Sequence, residues 1–137
     1  MNNDGPKIYS LGILEEKTYT FALRIIKAYS FLTKNNEYVL SKQLLRSGTS
    51  IGANCREATY AQSKMDFVNK LSIALKETNE TIYWLELLHD GEYIDDKTFE
   101  SIHNEANEIT SILASIVKTT KENSDKYDNS ESNFLNS

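Results

Sequence analysis

Three residue patterns in this 137-residue chain have spacings that can carry chemistry. Gly48-Thr49-Ser50-Ile51-Gly52 satisfies G-x-S-x-G, which in α/β-hydrolases lifts a nucleophilic serine onto a sharp strand-to-helix turn. Glu86-x-x-His89 and Glu100-x-x-His103 both show the E-x-x-H spacing with which di-iron and di-manganese bundles place two ligands on one helix face. Lys42, Arg46 and Arg56 fall within an arc of about 80° when a helix is wound at 100° per residue, and cations on one face suit phosphate contacts.

Each pattern depends on the elements that must hold it. Apolar residues recur at helical spacing in four stretches, with no alternating run of β-branched residues. Leu14, Phe21, Ile25, Ala28 and Leu32 predict a first helix, widened by Ala22 and Tyr29. Asn35 or Asn36 is the expected cap of a second, whose stripe is Leu40, Leu44, Gly48, Ile51, Cys55 and Ala58. Ser63 with Asp66 three residues on opens a third through Phe67, Leu71, Ala74, Thr78, Leu85 and Leu88, and Gly91 is the expected left-handed stop. Asp95 caps a fourth, with Ile94 and Phe99 as a hydrophobic staple and Ile102, Ala106, Ile109, Leu113 and Ile116 following.

Short connections make antiparallel neighbours the economical arrangement, so the expected fold is all-α, an up-down-up-down four-helix bundle over residues 11–123. Residues 1–10 are expected to be a flexible segment. Residues 124–137 are too polar to bury themselves and are expected to be a disordered tail.

This frame removes the hydrolase, because Ser50 lies inside a helix that runs straight through GTSIG and no strand precedes it. It also weakens the di-metal site. Leu85, Leu88, Phe99 and Ile102 take the core positions, leaving each Glu and His one step off the core, and the first helix ends in AYSFLTK without an acid. No catalytic residue, metal or cofactor is expected. Gly48 falls on the core stripe, where a missing side chain lets a neighbouring helix come close, and Gly52 with Thr49 and Ala53 keeps the outer face of the second helix low. Both glycines are expected to serve helix packing.

Fifteen Lys and Arg against twenty Asp and Glu give a net charge of -5, which disfavours strong nonspecific nucleic-acid binding by a single chain. The charge is divided: residues 15–34 hold four bases and two acids, residues 95–122 three bases and six acids. The opening MNNDGPKIYS has no signal or transit pattern and no stretch is apolar enough for a membrane span, so a cytoplasmic location is expected. Cys55, the single cysteine, is expected to be a buried thiol. Ile73, Trp84 and Leu87 form a second apolar line on the third helix, as Tyr19, Leu23 and Ile26 do on the first, and such surplus implies self-association.

The runs FALRIIKAYSFL, VLSKQLLRSGTSIGANCREA and AQSKMDFVNKLSIALKETNETIYWLELL resemble the bacterial four-helix-bundle proteins encoded by intervening sequences within 23S ribosomal RNA genes, over about residues 11–120. Similar bundles include the accessory variability determinant of diversity-generating retroelements. That likeness implies a homopentameric barrel with a basic surface acting on nucleic acid beside a reverse transcriptase. The resemblance implies no established enzyme activity. Two positions depart from its pattern: Cys55 replaces a frequent aliphatic residue, and Met65 a frequent lysine. The expected function is therefore a non-enzymatic accessory that binds RNA or a nucleic-acid enzyme complex through Lys42, Arg46 and Arg56. A protein-protein scaffold is the alternative, and a di-metal enzyme stands behind both.

Overall fold

The computed structural model describes residues 6–136, with side chains described over residues 11–123. Four helices follow one another, α1 (Pro6–Lys34), α2 (Leu40–Thr59), α3 (Lys64–Asp90) and α4 (Asp96–Asn136), with no strand among the described residues. α1 packs on α2, α2 on α3 and α3 on α4, and α4 closes the square onto α1; among the described residues the diagonal pairs have no close backbone approach. Contacts fix the directions. Gly48 and Gly52 on α2 meet Ile25 and Thr18 on α1 in reversed order, and Arg46 and Glu57 on α2 reach Glu80 and Lys70 on α3 in reversed order. Lys17 and Arg24 on α1 likewise meet Glu108 and Glu105 on α4, so every adjacent pair is antiparallel.

The apolar stripes form one core, with Leu14, Phe21, Ile25, Leu44, Ile51, Leu71, Leu85, Ile109 and Leu113 fully or almost fully buried. Burial of these side chains supplies most of the stability, at roughly 1.5 to 3 kcal/mol each. Cys55 lies within the core, and burial pushes its thiol up to about 12, with a Thr18 hydrogen bond opposing, so it behaves as a small apolar group. Hydroxyls in the core are satisfied locally or across helices: Thr78 donates to the Ala74 carbonyl at 2.8 Å, and Thr81 pairs with Ser47 across the α2–α3 interface at 2.8 Å.

The boundaries differ from expectation in four places. Asn35 and Asn36 end α1 rather than capping α2. The Glu37 N–H donates to the Leu32 carbonyl at 2.9 Å and the Asn36 N–H to that of Thr33 at 3.1 Å, a Schellman pairing with Asn36 left-handed at φ 69°. Glu37 supplies the cap instead. Its buried carboxylate accepts the N–H groups of Val39 at 3.2 Å, Leu40 at 3.0 Å and Ser41 at 2.6 Å. Burial pushes this carboxyl up, but the three backbone N–H bonds and the Ser41 side chain together outweigh that and hold it below the usual carboxylate range.

The third helix ends at Asp90 by the same device, with its left-handed residue one position later than Gly91. Gly91 has φ −80°, while Glu92 takes the left-handed turn at φ 68° and Tyr93 donates to the Leu88 carbonyl at 2.8 Å. Schellman hydrogen bonding thus sets the position, and a glutamate occupies the place glycine favours. At the chain ends, α1 starts at Pro6, a residue suited to a first helical position, so residues 6–10 are helical and residues 1–5 of the expected flexible segment lie outside the described residues. α4 continues to Asn136 where a disordered tail was expected from 124; that stretch contains no proline or glycine to stop a helix, and Ser137 lies outside the described residues.

Gly48 marks a close crossing of α2 on α1. A Cβ built there would stand 2.8 Å and 2.9 Å from the two branch carbons of Ile25, whereas one at Gly52 would meet Thr18 at 3.4 Å, near ordinary contact. The same substitution should therefore have opposite signs at the two sites. In thermal or urea unfolding, Gly48→Ala is expected to lose about 1 kcal/mol, overpacking outweighing the better helix propensity. Gly52→Ala should gain about 0.5 to 1 kcal/mol. Equal shifts in one direction would contradict the assignment.

Candidate nucleic-acid interface

The three patterns can now be placed. Ser50 sits in mid-helix with its hydroxyl donating to the Arg46 carbonyl at 2.7 Å, and no sharp turn exposes it as a nucleophile. Within GTSIG, Gly48 is a close-packing position against Ile25, whereas Gly52, expected to serve packing as well, has room for a Cβ at ordinary contact with Thr18.

The two E-x-x-H motifs do not converge. Glu86 lies 3.4 Å from His103 across the α3–α4 interface, while His89 meets Asp96 at 2.7 Å and Asp90 at 3.2 Å. Phe99 packs against both imidazoles, its ring centroid 4.2 Å from that of His89 and 4.8 Å from that of His103. No group of three or more His, Cys, Asp or Glu among the described residues is placed to hold a metal ion. The motifs form an aromatic and carboxylate clasp over the α3–α4 turn.

Arg46 corrects the charge pattern. It is half exposed, but its guanidinium reaches across to α3, bonding Glu77 at 2.9 Å and Glu80 through its other terminal nitrogen. This fork holds Glu80 below the usual carboxylate range, the Arg46 hydrogen bond being the main cause, so Arg46 is neutralised within the bundle. Sequence spacing showed which face Arg46 occupies. It did not show that Glu77 and Glu80, one turn apart on α3, stand opposite. Their i, i+3 spacing was the available signal, usable only once α2 and α3 are known to be neighbours.

Lys42 and Arg56 are exposed and have no carboxylate partner within ion-pair distance among the described residues. Arg56 stands at the end of a groove of about 390 Å³ between α1 and α2, floored by Thr18, Ala22, Thr49, Gly52 and Ala53. Glu15 and Glu57 also border it, and Glu57 is bonded to Lys70 at 3.2 Å. Met65, the departure from the resembling family's lysine, is 74% exposed, so the missing cation is a surface loss.

The two apolar lines lie on either side of α2. Tyr19, Leu23 and Ile26 are exposed on α1; Ile73 and Leu87 are exposed on α3, whereas Trp84 is half-buried against the core beside Tyr83. No helix among the described residues is long and apolar enough to cross a membrane.

The clasp carries a pH dependence. His89 is raised above its ordinary value chiefly by its bond to Asp96, partly opposed by burial, with Asp90 and both negative charges adding. A histidine raised on folding contributes stability that is complete below its unfolded value near 6.5 and is lost as pH rises through the raised one. The melting temperature of the parent should exceed that of Asp96→Asn at about pH 5.5, and the gap should narrow by about pH 8.5. A gap independent of pH would contradict the clasp.

Comparison with known proteins places the chain. The profile of the 23S rRNA-intervening sequence protein family matches residues 13–115. A solved structure, a protein of unknown function from the S23 ribosomal protein family of Bacteroides thetaiotaomicron VPI-5482, is 55% identical and superimposes with a TM-score of 0.79, covering 80% of this chain and 98% of that one. No curated protein matches. With a profile that spans most of the bundle, including the GTSIG crossing and the basic face of α2, the chain belongs to the 23S rRNA-intervening sequence protein family.

Proposed function

We propose that this chain is a non-enzymatic, self-associating helical accessory protein that binds RNA through the basic face of α2. The observation that carries the reading is the pair Lys42 and Arg56, exposed on one helix without carboxylate partners among the described residues. Between them the helix presents Thr49 and Ala53, with Gly52 at the groove floor, so a phosphate backbone can approach closely. Arg46 has a different part. Its fork to Glu77 and Glu80 braces α2 against α3.

Two cations per chain bind weakly, and the net charge of -5 opposes them. Repetition around an oligomer offsets this, because several copies on one rigid body meet a backbone at high effective concentration. Tyr19, Leu23 and Ile26 on α1 and Ile73 and Leu87 on α3 supply exposed apolar surface for such an assembly, with half-buried Trp84 behind the second group. A homopentamer, as the retroelement accessory likeness implies, is the form we propose, in the cytoplasm. The same apolar lines favour a second reading, a protein-protein scaffold in which α1 and α3 meet other proteins and no nucleic acid is bound.

Purification from the native host, followed by sequencing of co-purifying RNA, separates the two. The parent should recover RNA above background and a Lys42→Glu, Arg56→Glu double variant should lose it. Recovery of no RNA, or full retention by the variant, would leave the scaffold. Light scattering giving a monomer mass at micromolar concentration would remove the oligomer from either reading.

A further inference from the structure

Resting on the RNA reading but placing a second site elsewhere on the bundle, we infer that the groove between α1 and α4 takes an unstacked base of single-stranded RNA, with Phe31 as stacking face and Lys27 and Lys34 as phosphate contacts. The groove encloses about 420 Å³, within the range of small-ligand sites. Ala28, Ile94 and Ile102 line it with apolar atoms, and Thr98 adds a hydroxyl. Phe31 borders the groove and is 53% exposed, whereas Phe21, the other phenylalanine of α1, is fully buried.

The charges on α1 divide in a way that favours a phosphate at this end. Lys17 is bonded to Glu108 at 2.9 Å and Arg24 to Glu105 at 2.5 Å, so α4 neutralises these two bases. Lys27 and Lys34 have no carboxylate within ion-pair distance among the described residues. Lys27, Phe31 and Lys34 are spaced i, i+4, i+7 and therefore share one face of α1. The negative end of the α1 dipole explains Lys34, in the last turn, without a ligand; it does not explain Lys27, two turns back.

Asp95 is the one acid at the groove. Its Oδ1 accepts the Thr98 N–H at 2.8 Å as the cap of α4, which fixes the carboxylate at the rim, where it accepts from exocyclic amino or imino groups of a base. A ring platform beside paired cations is how sequence-tolerant sites hold single strands, since every base has a π-face. A duplex cannot use this groove, because its bases are already stacked.

The test is fluorescence anisotropy with the full chain, using single-stranded oligouridylate of about ten nucleotides and a blunt RNA duplex of similar length. Phe31→Ala should weaken the single strand about tenfold and leave the duplex unchanged, and Phe31→Tyr should restore parental binding. Lys27→Glu should weaken the single strand by severalfold and flatten its salt dependence. Phe31 is exposed enough that each variant is expected to melt like the parent. Parental single-strand affinity in Phe31→Ala overturns this site. If the Lys42→Glu, Arg56→Glu variant loses binding in that same assay, the RNA reading stands without it. A parent that binds neither probe overturns both.

Discussion

The bundle depends on how closely α1 approaches α2 at Gly48. Ile25 presses its branched side chain onto a position that has no Cβ, and any side chain there would meet it below 3 Å. That approach brings Thr18 against Gly52, places Cys55 in the core beside Thr18 and leaves the shallow groove whose floor is small residues. On its other flank α2 is tied by the buried Ser47–Thr81 hydroxyl pair and by the Arg46 fork. The two flanks are unlike in physics. One is a steric fit that tolerates almost no change of volume, and the other is a directional polar pairing that sets register.

Both hairpins end their first helix with the same backbone device. Asn36 after α1 and Glu92 after α3 take left-handed conformations, and in each case the next residue returns a hydrogen bond to the helix. A non-glycine residue in that region costs about 1 kcal/mol or more, so the helix packing beyond each turn must offset it. The turns then diverge. After α1, Glu37 folds its carboxylate onto three N–H groups of α2, whereas after α3 the Ile94 and Phe99 staple brings Phe99 under both histidines. Chemistry-like motifs are therefore built from capping and turn requirements.

What the sequence made legible was whatever follows from periodicity within one helix. The core stripes, the burial of Cys55, the Ser63 and Asp95 caps and the special place of Gly48 all depend on local spacing, and all are found. What it concealed depends on which helix faces which. Arg46 looked free because its partners lie more than thirty residues away on α3. Lys17 and Arg24 are matched by acids on α4 at still greater separation. The exposed Phe31 was hidden because its groove exists only where α1 meets α4. Gly91 misled by composition: the hydrogen-bond geometry of the Schellman turn, not residue preference, decided that Glu92 bends the chain.

The central physical claim is that a direct contact between positions 48 and 25 fixes how α1 sits on α2, and with it the surface offered to partners. A double-mutant cycle combining Gly48→Ala with Ile25→Ala measures that contact. Removing the Ile25 branch should abolish the penalty of the alanine, because the clash is gone and only its helix propensity remains, giving a coupling energy of about 1 to 3 kcal/mol. Additive effects, with Gly48→Ala costing the same in either background, would contradict the account.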